Sequence, residues 1–213
     1  MKPKIKDSEL VQLNSPYQST TSFEKFLLKN KVINKNTKSI LDLGCGLGAQ
    51  INYLSRKFPK IDFVGWDYSK KQITKAKKIN KSKNNKFYVK DILKINKKYN
   101  FDLTISIQTF CCFKNMDKLL DSITNINSNW IAINSLFYNG PIDILVHMRE
   151  FGKNSLKDND PDGDFNIHSI TKMEKIALKK GYKIIKKEPF FPKKKIPKPK
   201  GKIRGSYTMK TEL

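Results

Sequence analysis

Residues 39–50, Ser-Ile-Leu-Asp-Leu-Gly-Cys-Gly-Leu-Gly-Ala-Gln, leave few architectures open. Apolar residues surround one acid, Asp42, as at the end of a buried strand. Gly44, Gly46 and Gly48 then make a side-chain-poor bend, and Ile51, Leu54, Ser55 and Phe58 recur on one helical face directly behind it. Glycines let the backbone come close to a ligand, and the helix start offers it unpaired N–H groups. The segment reads as a small-molecule cradle at the carboxyl end of a first parallel strand.

Two kinds of loop fit this cradle. Gly44, Gly46 and Ala49 satisfy the dinucleotide fingerprint G-x-G-x-x-G/A. Asp42-Leu-Gly-Cys-Gly-Leu-Gly48 also resembles the acid-x-G-x-G-x-G loop of class I S-adenosylmethionine-dependent methyltransferases at every required position. Electrostatics separates the two. A carboxylate two residues before the first glycine repels a pyrophosphate but attracts an ammonium and a sulfonium.

The following strands extend the resemblance. Residues 61–69 form an apolar strand ending in Asp67, about twenty residues past the loop, and Ser69 is placed to cap a helix through Lys78. A third strand over 86–92 ends in Asp91, and a fourth runs over 101–108. The resemblance implies that Asp67 holds the ribose hydroxyls, that Asp91 and the Ile92 N–H meet the adenine, and that Ile107 and Gln108 lie against the methionine portion. Gly44, Cys45, Gly46, Gly48 and Tyr68 complete the implied cofactor set. It covers residues 39–135. Each acid has a plainer reading as a turn or capping residue; three acids at three successive strand tips favour the shared cofactor.

The rest of the chain is assigned around this centre. A single domain, 1–213, is expected, with an N-terminal helical cap over 1–37 and a lid-like insertion over 136–167. Thr20 or Thr21 is read as the cap of a first helix bearing Phe23, Phe26 and Leu27. Tyr17, just before it, either folds over the cofactor or packs on the sheet edge. Asn115 or Asp117 begins a helix bearing Met116, Leu119, Leu120, Ile123 and Ile126, and residues 130–135 form a fifth strand. His168 or Ser169 starts a last helix closed by Gly181. Residues 182–188 read as a sixth strand and 203–210 as a seventh. Strands alternating with helices imply right-handed crossovers. The expected fold class is α/β: a doubly wound, seven-stranded, mostly parallel sheet with helices on both faces.

The insertion and the strand-four and strand-five tips hold the candidate bases Gln108, Asp143, His147 and His168. His147 and Asp143 are the catalytic candidates, because a hydroxyl or protonated amine must lose a proton before it accepts a methyl group. The competing reading of His147 is an ordinary surface or core histidine. The acids at 158, 160, 162 and 164 lack a complete calcium-loop pattern, and no zinc-like spacing exists, so no metal is expected. Cys45, Cys111 and Cys112 give no disulfide framework, no run is long enough to span a membrane, and a cytoplasmic setting is expected.

A formal net charge of +24 raises the question of nucleic acid. Nearly all of that charge is lysine, while Arg56, Arg149 and Arg204 are the only arginines. Compositional drift explains scattered lysine as well as phosphate binding does. The basic strip over 193–204 is the sharpest local polyanion feature, read against a solvated edge loop. The expected partner is therefore a small metabolite or glycan precursor, with an anionic one favoured by the field, methylated on O or N with S-adenosylmethionine. The alternatives are an RNA or ribosomal-protein methyltransferase using the 193–204 strip, a non-catalytic cofactor-binding module and, more distantly, a dehydrogenase.

Overall fold

The computed structural model describes residues 13, 15–149 and 162–191. Five strands, β1 (Ser39–Leu43), β2 (Asp62–Asp67), β3 (Asn85–Val89), β4 (Tyr99–Ile107) and β5 (Ile126–Asn134), form one sheet in the order β3-β2-β1-β4-β5, all parallel. Helices α1 (Gln18–Lys29), α2 (Ala49–Lys57), α3 (Lys70–Ile79), α4 (Met116–Ile123) and α5 (Ile170–Lys179) accompany it. The order reverses at β1, so the crevice outside its carboxyl end lies at a topological switch point.

Strand periodicity divides the core. On β1, Ile40 faces one layer with Leu27, Ile51, Ile73 and Leu103, and Leu41 and Leu43 face the other with Trp66, Leu119, Ile123 and Ile176. Both faces are covered, which is why β1 is apolar almost throughout. Asp42 falls on the Ile40 face and is 1% exposed. That one charged side chain in a dry strand is the fold's first departure from simple patterning.

Most local expectations hold, with shifted bounds. Ser69, Asn115 and Ser169 each accept a backbone N–H as N-caps. Gly181 and Tyr182 close α5 by donating their N–H groups to Leu178 and Ala177 carbonyls. The first helix starts earlier than expected, after Tyr17, with no side-chain cap; Thr20 is buried within it and caps nothing. Buried Glu24 fixes that helix to α2, accepting from Tyr53 Oη at 2.5 Å and from Lys57 Nζ at 2.8 Å. Ile126 begins β5 instead of ending α4. Leu178 on α5 is exposed.

Residues 182–188, expected as a sixth strand, join no ladder among the described residues. Tyr182 and Ile184 instead pack their side chains against the α4–α5 core layer. The expected seventh strand, 203–210, and the 193–204 strip lie outside the described residues. The insertion contributes short pieces, β6 (Phe137–Tyr138), β7 (His147–Arg149), β8 (Asp162–Asp164) and β9 (His168–Ser169), with β6 paired to β9 and β7 to β8. Residues 150–161 of it also lie outside the description. No described helix is long and apolar enough to cross a membrane.

Candidate functional site

The bend after β1 is built by three left-handed glycines within five residues: Gly44 (φ 75°), Gly46 (φ 52°) and Gly48 (φ 73°). The N–H groups of Gly44 and Cys45 both donate to the Trp66 carbonyl, at 2.8 and 3.0 Å, which folds the bend against the end of β2. Sequence reasoning attributed the glycines to ligand approach. At two of them the protein itself supplies a sufficient reason. A Cβ on Gly44 would stand 2.3 Å from Thr109 Oγ1, and one on Gly48 would stand 2.5 Å from the Phe87 ring. The cradle is therefore clamped from both sides by its own fold.

Asp67 locks the middle of the bend. Its Oδ2 accepts the Gly46 N–H at 3.0 Å and its Oδ1 accepts the Ser69 N–H at 2.8 Å. Asp42 lies close enough to repel it. Burial first, and the Asp67 charge second, push the Asp42 carboxyl up to about 7. Asp42 Oδ2 is buried and has no hydrogen-bond partner. A buried orphan oxygen beside a second carboxylate is an unfavourable arrangement for a protein alone. A cation brought to this corner would relieve both carboxylates, while a pyrophosphate would worsen the repulsion.

Asp91 is placed differently. Its Oδ1 accepts the Leu93 N–H at 2.9 Å, and its Oδ2 lies 3.6 Å from Lys94 Nζ, so it caps the short 3-10 turn Ile92–Lys94. Ile92 is buried behind it. Asp67 and Asp91 stand at the tips of adjacent strands, but only Asp67 is bonded to the bend. Tyr68 is 80% exposed at the rim.

At the β4 tip, Gln108 carries φ 56°, an unusual conformation for a non-glycine residue. Two contacts hold it there: its N–H donates to the Asn134 carbonyl at 2.7 Å, and its Nε2 donates to Asn134 Oδ1 at 2.9 Å. The twist sets Thr109 against the bend, where Thr109 Oγ1 donates to the Gly44 carbonyl at 3.4 Å. Thr109 and Asn134 escaped sequence reasoning. Neither matches a motif, and the partner of Thr109 is 65 positions away in the chain.

The catalytic candidates separate. Asp143 is committed: its Oδ1 accepts the Ser169 N–H at 2.8 Å and its Oδ2 accepts Lys172 Nζ at 2.6 Å. Burial pushes its carboxyl up, but the Lys172 ammonium and the Ser169 N–H outweigh it and hold the group below the ordinary carboxylate range. A carboxylate held in this way is a weak base, so the expected basic role of Asp143 gives way to anchoring the start of α5. His147 is half-exposed on β7, with Nδ1 3.1 Å from Asp164 Oδ1. The His147 contact comes first, and the Lys114 ammonium at 3.1 Å adds to it, in keeping the Asp164 carboxyl below its usual range. Asp164, one of the acids weighed against a calcium-loop pattern, lies where it can orient His147. His168 is fully buried, with both ring nitrogens unpartnered and Nδ1 3.9 Å from Asp143 Oδ1. The Asn166 N–H donates to the Cys111 carbonyl at 2.7 Å, docking the insertion beside the β4 tip. Among the described residues no three His, Cys, Asp or Glu side chains are grouped as metal ligands.

Known proteins resemble this chain in sequence and in fold. A family model described as a methyltransferase domain matches residues 34–161. A malonyl-[acyl-carrier protein] O-methyltransferase 2 of Ilyobacter polytropus is 34% identical over 155 residues, covering 70% of this chain and 56% of that protein. A malonyl-[acyl-carrier protein] O-methyltransferase of Bacillus anthracis is 29% identical over 119 residues, covering 56% of this chain and 39% of that protein. The chain therefore spans only about half the length of these curated relatives. The solved sugar N-methyltransferase KedS8 of Streptoalloteichus shares the fold, with a TM-score of 0.58 over 82% of this chain and 83% of that one, at 13% identity.

Proposed function

The chain belongs to the class I S-adenosylmethionine-dependent methyltransferases, and from that premise we propose that it transfers a methyl group from S-adenosylmethionine to an O or N nucleophile of a small metabolite or glycan precursor. The observation that carries the cofactor assignment is the buried, unpartnered Asp42 Oδ2 beside Asp67. These residues fit a cationic donor. When bound, S-adenosylmethionine supplies an electrophilic methyl on a sulfonium.

This chain's residues then perform separate tasks. Asp42 balances positive charge from beneath the bend. Asp67 takes the ribose hydroxyls while keeping the Gly46 N–H in place. Asp91 and the Ile92 N–H address the adenine, and Tyr68 covers the rim. Ile107, with Gln108 braced on Asn134, forms the wall against the methionine portion, which keeps the methyl in line with the acceptor. His147, oriented through Asp164, removes the acceptor's proton. The curated relatives, O-methyltransferases of malonyl-[acyl-carrier protein], support an oxygen acceptor. Strands over 182–188 and 203–210 completing a seven-stranded sheet belong to the same proposal.

A methyl-transfer screen tests it. Full-length protein is incubated with methyl-labelled donor and cell extract separated into small-molecule, protein and RNA fractions. Label in the small-molecule fraction, lost in Asp67→Ala, is the expected outcome. Label confined to RNA or protein would contradict the acceptor class, and donor binding with no label anywhere would favour a non-catalytic module.

A further inference from the structure

The positive charge is not spread evenly. Residues 68–90, between Asp67 and Asp91, carry nine lysines and no acid. They hold nine of the net twenty-four charges on 23 of 213 residues, more than three times an even share. The structure makes this a surface. Lys70, Lys71, Lys77 and Lys78 are exposed on α3, within about 120° of arc at helical periodicity. The ion pairs of Lys57, Lys114, Lys172, Lys180 and Lys187 all lie elsewhere, and those four α3 lysines have no carboxylate partner among the described residues.

The helix charge meets the sheet at an open edge. β3 is the outermost strand, and Lys86 and Tyr88 are exposed on it. Lys77, Lys86 and Tyr88 surround a shallow depression of about 230 Å³. Asn80 lines it too, with Nδ2 committed to the Leu47 and Ala76 carbonyls and Oδ1 unpartnered. Cations, an aromatic ring and a buried acceptor thus adjoin one hollow.

We propose that the α3–β3 edge binds single-stranded nucleic acid, with the lysines on successive phosphates and Tyr88, which projects from the sheet side away from α3, stacking a base where the strand rounds the depression. Lysine-rich, aromatic-interleaved surfaces suit this ligand. A protein partner fits less well, because protein–protein interface cores deplete lysine, and the exposed α3 arc presents charge where such a core would be apolar. Lysine protection of an edge strand accounts for Lys86, but not for the arc on α3. The inference stands independently of methyl transfer, since its readout is binding.

The test is fluorescence anisotropy of full-length protein with a labelled single-stranded RNA of about 20 nucleotides across a salt series. Wild type is expected to bind with a steep salt slope, about −0.7 per phosphate contact. The variant Lys70→Glu/Lys77→Glu/Lys78→Glu/Lys86→Glu is expected to lose at least about tenfold in affinity and to flatten that slope by about 2–3. Tyr88→Ala is expected to weaken single strands and leave duplex binding unchanged. A control, Lys193→Glu/Lys194→Glu/Lys195→Glu/Lys198→Glu, alters the other basic tract and is expected to stay within about threefold. Loss in the control but not in the α3–β3 variant overturns the proposal. So does competition by polyglutamate equal to that by RNA, which would point to an acidic protein. Should the α3–β3 variant fail to fold, ultraviolet crosslinking of wild type decides: adducts on residues 68–90 support the face, and adducts elsewhere exclude it.

Discussion

The two sides of the sheet's carboxyl edge handle their acids in opposite ways. Beside β1 and β2, Asp42 is buried with an orphan oxygen and repels Asp67. Beside β5, Asp143 is bound by Lys172 and the Ser169 N–H, and Asp164 lies against Lys114 and His147. The first side is electrostatically incomplete without a cation. On the second, both acids already hold a cationic or N–H partner. The contrast points to charge as the basis of donor recognition.

The comparison can be broken most forcefully at the bend. Gly44→Ala drives a methyl onto Thr109 in a left-handed backbone, and a loss of about 3 kcal/mol or more is expected in urea unfolding. A loss under about 1 kcal/mol would mean that the clamp yields.

Asp42→Asn sharpens it next. The folded carboxyl titrates near 7, above its ordinary 3.8, so the folded state holds a proton that the unfolded chain releases at lower pH. The sign follows: wild-type stability falls as pH rises from about 4 to about 7 and then levels off, the cost of the buried charge being complete above the folded value. Asp42→Asn removes that cost. It is expected to gain roughly 2–4 kcal/mol at pH 8 and little at pH 4, while weakening donor binding. Equal effects at both pH values would contradict the placement of Asp42.

His147→Ala addresses the other side. Turnover is expected to fall about 10²–10⁴-fold with unchanged S-adenosylhomocysteine affinity, read from kcat and from titration. Unchanged turnover would remove His147 from catalysis. The smallest effect belongs to Asp143→Ala, expected to cost about 1–2 kcal/mol through the α5 start. Because its carboxyl is held low, the contribution of Asp143 is present above the unfolded value and is lost as pH falls through the folded one. A loss of activity without loss of stability would restore Asp143 as a catalytic group.

What the chain reveals of itself divides along the same line. The order from β1 to β5 and the Asp42–Gly48 bend were legible because each rests on contiguous patterning. The place of Asp67 beside the bend was legible from its position at a strand tip a fixed distance beyond it. Thr109 and Asn134 were illegible, since their importance comes from contacts across the sheet that no local pattern encodes. The partners of Asp143 and Asp164 were illegible for a related reason: which cation meets an acid depends on the fold. For residues 182–188 the described residues show Tyr182 and Ile184 packed on the core and no ladder, since the segment expected to pair there lies outside them.

The central claim, that the Asp42–Asp67 corner is a receptor for a cationic donor, has a direct thermodynamic signature. Calorimetric titration with S-adenosylmethionine at pH 6.5, repeated in buffers of different ionisation enthalpy, counts the protons exchanged on binding. With Asp42 near 7 in the free protein, the account predicts release of a large fraction of one proton, abolished by Asp42→Asn. Binding with no proton release, or with the same release in Asp42→Asn, would contradict it.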